Sequence, residues 1–194
     1  FCKDLNVDDD EFADVEGDAD TLAGLLLEIK GDFPSLHEKI DYKNYTFEVG
    51  NVSEDVKTLL RVTKESLYAG IEKAVAGNRI GDIGQAVQDY CESHGYGVVR
   101  ELTGHGIGKE MHEEPQVPNY GKRGHGKQLK AGMCIAIEPM ITMGDRSICL
   151  AQDKWSIITR DRKPAAHFEH TVAVYKGRAE ILSTFEEIER VLKS

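Results

Sequence analysis

The chain has 194 residues, 40% of them hydrophobic and 30% charged, and a formal net charge of −10, which fits an ordinary soluble protein with one well-buried core or one domain plus an appendage. Its longest apolar run, around Leu25 to Leu27, is far short of the ~20 residues of a membrane span, and no charged leader precedes a hydrophobic segment, so the cytoplasm is the expected compartment. Cys2, Cys91, Cys134 and Cys149 are scattered without a C-x-x-C, which argues against a zinc ribbon or a disulfide framework.

The charge is uneven along the chain. Residues 1–48 hold 14 of the 34 acidic side chains but only 4 of the 24 basic ones, so the composition shift divides the chain into an acidic segment, 1–48, and a charge-balanced remainder, 49–194. An acidic segment of this kind argues against nucleic acid as a partner, because phosphate binding relies on a basic footprint. Asp8-Asp9-Asp10-Glu11 reads as a solvated stretch, since the Gly and terminal Glu of a Ca²⁺ loop are missing. Asp20 is placed to cap a helix over about 20–30, where Leu22, Leu25, Leu26 and Ile29 recur at helical spacing and Gly31 follows the end. Tyr45, Phe47 and Val49 alternate, which predicts a strand over about 42–49, expected to pair with the sheet of the remainder.

From Ser53 the set Val56, Leu60, Thr63, Leu67 and Ile71 predicts a long amphipathic helix, capped by Asn51 or Ser53 and stopped by Gly77. A second helix is expected from Asp82, with Ile83, Val87 and Tyr90 on one face and Gly95 at its end. Strands are expected at Tyr96 to Val99 and around 133–138, 155–159 and 166–175, with a short helix after a Ser183-Thr184-Phe185-Glu186 capping box. Gly121 to Gln128 nearly spells a phosphate-binding loop, but Gln128 stands where a Mg²⁺-binding hydroxyl should be, so it reads as a mobile surface loop.

Three stretches carry chemistry. Gly104-His105-Gly106-Ile107-Gly108 follows a short apolar run, and its glycines would allow positive φ and close approach by another group. Met133 to Met140 is a strand-like run ending in Glu138, which Pro139 fixes in place. In Ala166 to Val174, alternation puts Phe168, His170, Val172 and Val174 on one face and His167, Glu169 and Thr171 on the other. Carboxylates at such positions are costly to desolvate unless a cation or proton partner compensates them, and with His105 they make a mixed N/O set suited to Mn, Fe, Co or Zn. His105, Glu138 and Glu169 are therefore expected to converge.

Gly-His-Gly-Ile-Gly at 104–108, His-Glu-Glu-Pro at 112–115, Ile-Glu-Pro-Met at 137–140, Trp155 and Glu-His-Thr-Val at 169–172 resemble the type I methionine aminopeptidases, over about residues 45–182. The resemblance implies an α+β pita-bread fold (the creatinase/aminopeptidase fold) with its N-terminal part incomplete or replaced. It also implies a cytoplasmic metallo-aminopeptidase that removes methionine from peptide or nascent-chain N-termini. Carried over, it makes His105, Glu138 and Glu169 metal ligands and gives Glu138 a proton-relay role. His112 would contact the scissile carbonyl, and Met111 and Trp155 would lie at the methionine side chain. The family uses two divalent cations per site. Its two aspartate ligands fall, on gapless alignment, at Gly31 beside Asp32 and at Tyr42 beside Asp41, so at most one cation is assured here. Asp41 could replace its aspartate only if a bulge re-aimed it.

The run from Glu16 to Gly31 followed by Tyr42 to Val49 resembles the transporter-associated domain of CorC/HlyC-type proteins over about residues 1–48. Two further readings follow: a pita-bread binding module without catalysis, and a regulatory accessory of a membrane transporter. Oligomeric state is not encoded in any pattern seen here.

Overall fold

The computed structural model describes residues 39–42, 45–48, 53–151, 154 and 157–185. The chain forms two compact units, Phe1–Val52 with Phe185–Ser194, and Ser53–Thr184. In the first, β1 (Lys39–Tyr42) and β2 (Tyr45–Glu48) form a two-stranded antiparallel sheet with Asp41 opposite Thr46. The expected strand is thus present, but its partner is β1 rather than the sheet of the remainder. Two residues separate the strands in sequence, so the local pairing closes at little entropic cost. The ladder runs without a register shift, so the bulge that re-aiming Asp41 would need is not there. The helix expected at 20–30, Asp32, and the helix expected after Phe185 lie outside the described residues.

The second unit begins with α1 (Glu54–Ile71), whose Ser53 cap accepts the Val56 N–H and whose first turn carries Glu54 and Asp55. Its buried stripe is Leu59, Val62, Thr63, Ser66, Leu67, Gly70 and Ile71, so Thr63, Leu67 and Ile71 lie on the expected face while Leu60 is corrected: it is on the outside, and Leu59 is buried. Thr63 and Ser66 can be buried because their hydroxyls donate to the carbonyls of Leu59 and Thr63, each at 2.7 Å. α2 (Ile80–Ser93) starts two residues before Asp82, which instead sits in the first turn and accepts the Arg79 N–H at 2.7 Å. Gly70 lets the two helices close up, since a Cβ there would come within 2.8 Å of Val87 Cγ2.

Ten short antiparallel strands follow. β4 (Gly104–Ile107), β5 (Glu113–Val117), β6 (Cys134–Ile137), β11 (His170–Val174) and β12 (Ala179–Ile181) make a five-stranded sheet in the order β12-β11-β6-β4-β5. β3 (Gly97–Val98), β7 (Met140–Thr142) and β10 (Ala165–His167) make a second, in the order β10-β7-β3. β8 (Ile148–Leu150) and β9 (Ile157–Thr159) form a hairpin. The helices pack on these sheets, and Leu59, Val62, Val87, Cys91, Val98, Ile141 and Ala166 form a fully buried core cluster between them. Burial pushes the Cys91 thiol up to about 11. None of the described helices is long and apolar enough to cross a membrane.

The strand expected around 133–138 is β6, and after Glu138-Pro139 the chain goes on into β7; the strand expected over 166–175 is broken in two, β10 and β11, either side of Phe168-Glu169. At both joints the chain leaves one sheet and enters the other. The joints face each other, because Ile137 pairs with His170 on one side and Met140 with His167 on the other, while Phe168 N–H donates to the Pro139 carbonyl at 3.4 Å. Periodicity could not reveal the break, since alternation continues across it: His170, Val172 and Val174 point inward, and His167 and Glu169 stay outward.

Candidate metal centre

Glu138 lies at the first joint, with a side chain only 13% exposed, and its backbone carbonyl accepts the Asn119 Nδ2–H at 2.9 Å. Pro139 restricts the Glu138 backbone to extended conformations, so carboxylate direction is fixed from both sides. Glu169 lies at the facing joint. Ligand atoms of Glu138, His167 and Glu169 all fall within 4.8 Å of one another.

His105 approaches from β4, its Nε2 3.6 Å from Glu138 Oε1. The flanking glycines are there for space. A Cβ at Gly104 would overlap the Ala136 carbonyl oxygen, and one at Gly106 would overlap that of Glu114, so strands β5 and β6 can close on β4 only around glycine. The expected positive φ is corrected: neither glycine adopts it, since both lie in β4 rather than in a turn, and the register with β5 shifts between them. His105 Nδ1 lies 2.9 Å from the Gly106 carbonyl oxygen, which can only accept, so Nδ1 carries the proton. The Nε2 of the ring is left facing the carboxylate, and a proton or a cation between them would join the two.

His112 is exposed, with its ring 4.2 Å from that of His105 at 49°, on the same mouth of the site. Met111 is 73% exposed. Trp155 lies outside the described residues. Behind the ligand strands, His170 is buried between the Tyr68 hydroxyl at 3.4 Å and the Ser183 hydroxyl at 2.8 Å; burial lowers its pKa, with the charge of Lys64 adding to the effect. Ser183 also accepts the Thr171 N–H, so its hydroxyl braces β11.

Of the expected trio, His105 and Glu169 each approach Glu138, but the group whose ligand atoms lie within 4.8 Å of one another is Glu138, His167 and Glu169, without His105. His167 Nε2 lies 3.3 Å from Glu138 Oε2, and Asn119, buried with its Oδ1 unpartnered, holds the Glu138 backbone. His167 was signalled by its place on the Glu169 face. Nothing in Val117-Pro118-Asn119 pointed to a clamp. The donor set fits a divalent cation: two carboxylates that repel at this separation, and imidazole nitrogens directed at them.

The model of metallopeptidase family M24 matches residues 43–176. The chain belongs to that family. A second family model, the transporter associated domain, matches residues 4–66. The M24 relatives include a methionine aminopeptidase of Clostridium acetobutylicum, 51% identical over 141 residues, 73% of this chain and 56% of that protein. The solved methionine aminopeptidase of Thermotoga maritima is 44% identical with a TM-score of 0.68, covering 71% of this chain and 55% of that one. The prolidase of Pyrococcus furiosus, 24% identical, superposes with a TM-score of 0.54 over 72% of this chain and 35% of that chain, which speaks for the fold alone. The chain therefore has the M24 pita-bread architecture over its second unit and spans little more than half the length of the relatives it matches.

Proposed function

We propose that this chain carries the metal-binding half of a methionine aminopeptidase and acts, weakly, on N-terminal methionine of peptides and nascent chains in the cytoplasm. The observation that carries the reading is the approach of His105 Nε2 to Glu138 at 3.6 Å, with Glu169 facing the same carboxylate. His105, Glu138 and Glu169 would hold the cation. When bound, a divalent cation supplies Lewis acidity toward the peptide carbonyl and lowers the pKa of water.

The protein's own groups have distinct tasks in this reading. Glu138, nearly buried and flanked by two imidazoles, passes a proton to the leaving amine, and Asn119 and Pro139 keep it aimed. His112, beside the His105 ring, donates to the carbonyl oxygen as negative charge develops. Met111 and Trp155 contribute to recognising the methionine side chain. The division at 48/49 makes the acidic segment an appendage of the transporter-associated type and 49–194 the aminopeptidase-like part.

Turnover is expected to be slow, because the family's two aspartates are unmatched at Gly31 and Tyr42, and loss of one preorganised contact typically costs about 10²–10³-fold. The test is the initial rate on a Met-Ala-Ser peptide with Mn²⁺ or Co²⁺, with Glu138→Ala as the blank. The expected result is a Glu138-dependent rate far below the ~10 s⁻¹ common among enzymes. A rate equal to the blank would favour a non-catalytic binding module. The match over residues 4–66 supports an accessory role at a transporter, which co-sedimentation with membrane vesicles would detect.

A further inference from the structure

We propose that His167 is a protein ligand of the cation, bound on the Oε2 side of Glu138 together with Glu169. The inference rests on the metal-dependent reading above and adds a residue to it. Its basis is the way the Glu138 carboxylate is shared. Oε1 faces His105 at 3.6 Å and Oε2 faces His167 at 3.3 Å, so the two oxygens are addressed by different imidazoles. Glu169 groups with the His167 side: it is Glu138, His167 and Glu169 whose ligand atoms lie within 4.8 Å of one another.

Metal–ligand bonds of about 2.0–2.2 Å place neighbouring donors roughly 3–3.5 Å apart, so closing the set needs side-chain movement of about an ångström. The positions permit it. His167 is 49% exposed and Glu169 is on the surface, whereas Glu138 is the fixed member. The backbone also delivers them together, because His167 ends β10 opposite Met140 while Glu169 occupies the joint that follows, on the same side of the chain. The simpler alternative, a plain His167–Glu138 ion pair, leaves two carboxylates, Glu138 and Glu169, with oxygens within 4.8 Å of each other, where like charges repel.

His167 thereby adds a nitrogen donor to a centre that lacks matched aspartates. One cation held by Glu138, Glu169 and two imidazoles is a complete N/O set without any residue from the first unit.

The experiment is Co²⁺ binding to the full chain, followed by calorimetry and visible absorption, with X-ray absorption on the loaded protein to count imidazoles. The inference expects one Co²⁺ with two imidazoles in the wild type. His167→Gln should bind at least tenfold more weakly and retain one imidazole. Unchanged affinity and spectrum in His167→Gln, with metal bound by the wild type, would overturn this inference and leave the metal-dependent reading standing. No Co²⁺ uptake by the wild type would overturn both. Should His167→Gln fail to fold, His105→Gln decides on the same readouts: retention of one imidazole supports the assignment of His167, and retention of none refutes it.

Discussion

The chain contains the tripeptide Gly-His-Gly twice, at 104–106 and at 124–126, and the two copies behave oppositely. In the first, the glycines lie inside β4 with ordinary φ, squeezed between β5 and β6, and the histidine is 15% exposed and aimed at an acid. In the second, Gly124 and Gly126 take φ of +75° and +81° in an exposed loop, and His125 is on the surface. That loop is exposed as its sequence suggests, yet anchored rather than loose: Asp82 accepts the Gly124 N–H, Gln85 the Arg123 N–H, and the Gly126 carbonyl accepts Arg79. Identical residues serve close packing in one place and turn geometry in the other, so the chemical meaning of the tripeptide comes from what approaches it.

The comparison is broken most directly by the histidines. His105→Ala should weaken Co²⁺ binding by more than the ~10–100-fold that even supporting residues cost, whereas His125→Ala should leave it unchanged. Equal effects, read by calorimetry, would show that the two loops are not functionally distinct. The glycines sharpen the contrast. Gly104→Ala should cost about 3 kcal/mol in urea unfolding, since a carbonyl must move to admit the methyl, and should lower metal affinity as well. Gly126→Ala should cost only about 1–2 kcal/mol, from the left-handed backbone, with metal affinity intact.

The smallest effect concerns the anchor. Desolvation raises the pKa of Asp82, but the N–H groups of Arg79 and Gly124 and the charges of Arg123 and Arg79 outweigh it and hold the carboxyl below its ordinary 3.8. The unfolded chain therefore takes the proton first, and the contribution of Asp82 is complete above that value and lost as pH falls through the lower folded one. Asp82→Asn should cost roughly 1 kcal/mol from pH 5 to 8, with the gap from wild type shrinking below about pH 4. A gap that widened in acid would contradict this.

The legible parts of this molecule were those where pattern and packing coincide. The proximity of Glu138 to His105 and to Glu169 was legible because glycine, proline and strand alternation constrain these positions, and Ser53 was one of two cap candidates, with Asn51, because it precedes an amphipathic run. Of the expected α1 face Thr63, Leu67 and Ile71 are buried, whereas Leu60 is exposed with Leu59 and Val62 buried instead, and Ser66 was not legible because it is buried by a hydrogen bond, which hydropathy does not register. Asn119 was invisible because its role is to a backbone carbonyl 19 residues away. The crossing of strands between sheets was hidden for a similar reason, since only the partner strands define it.

That crossing makes strand register the ruler by which the ligands are spaced. Ile137↔His170 and Met140↔His167 are the two rungs that bracket Glu138 and Glu169. A one-residue slip of β11 on β6 would carry Glu169 about 3.4 Å along the sheet and turn it to the opposite face. The chain would then lose its metal-binding chemistry while keeping every strand, every ligand residue and nearly every hydrogen bond.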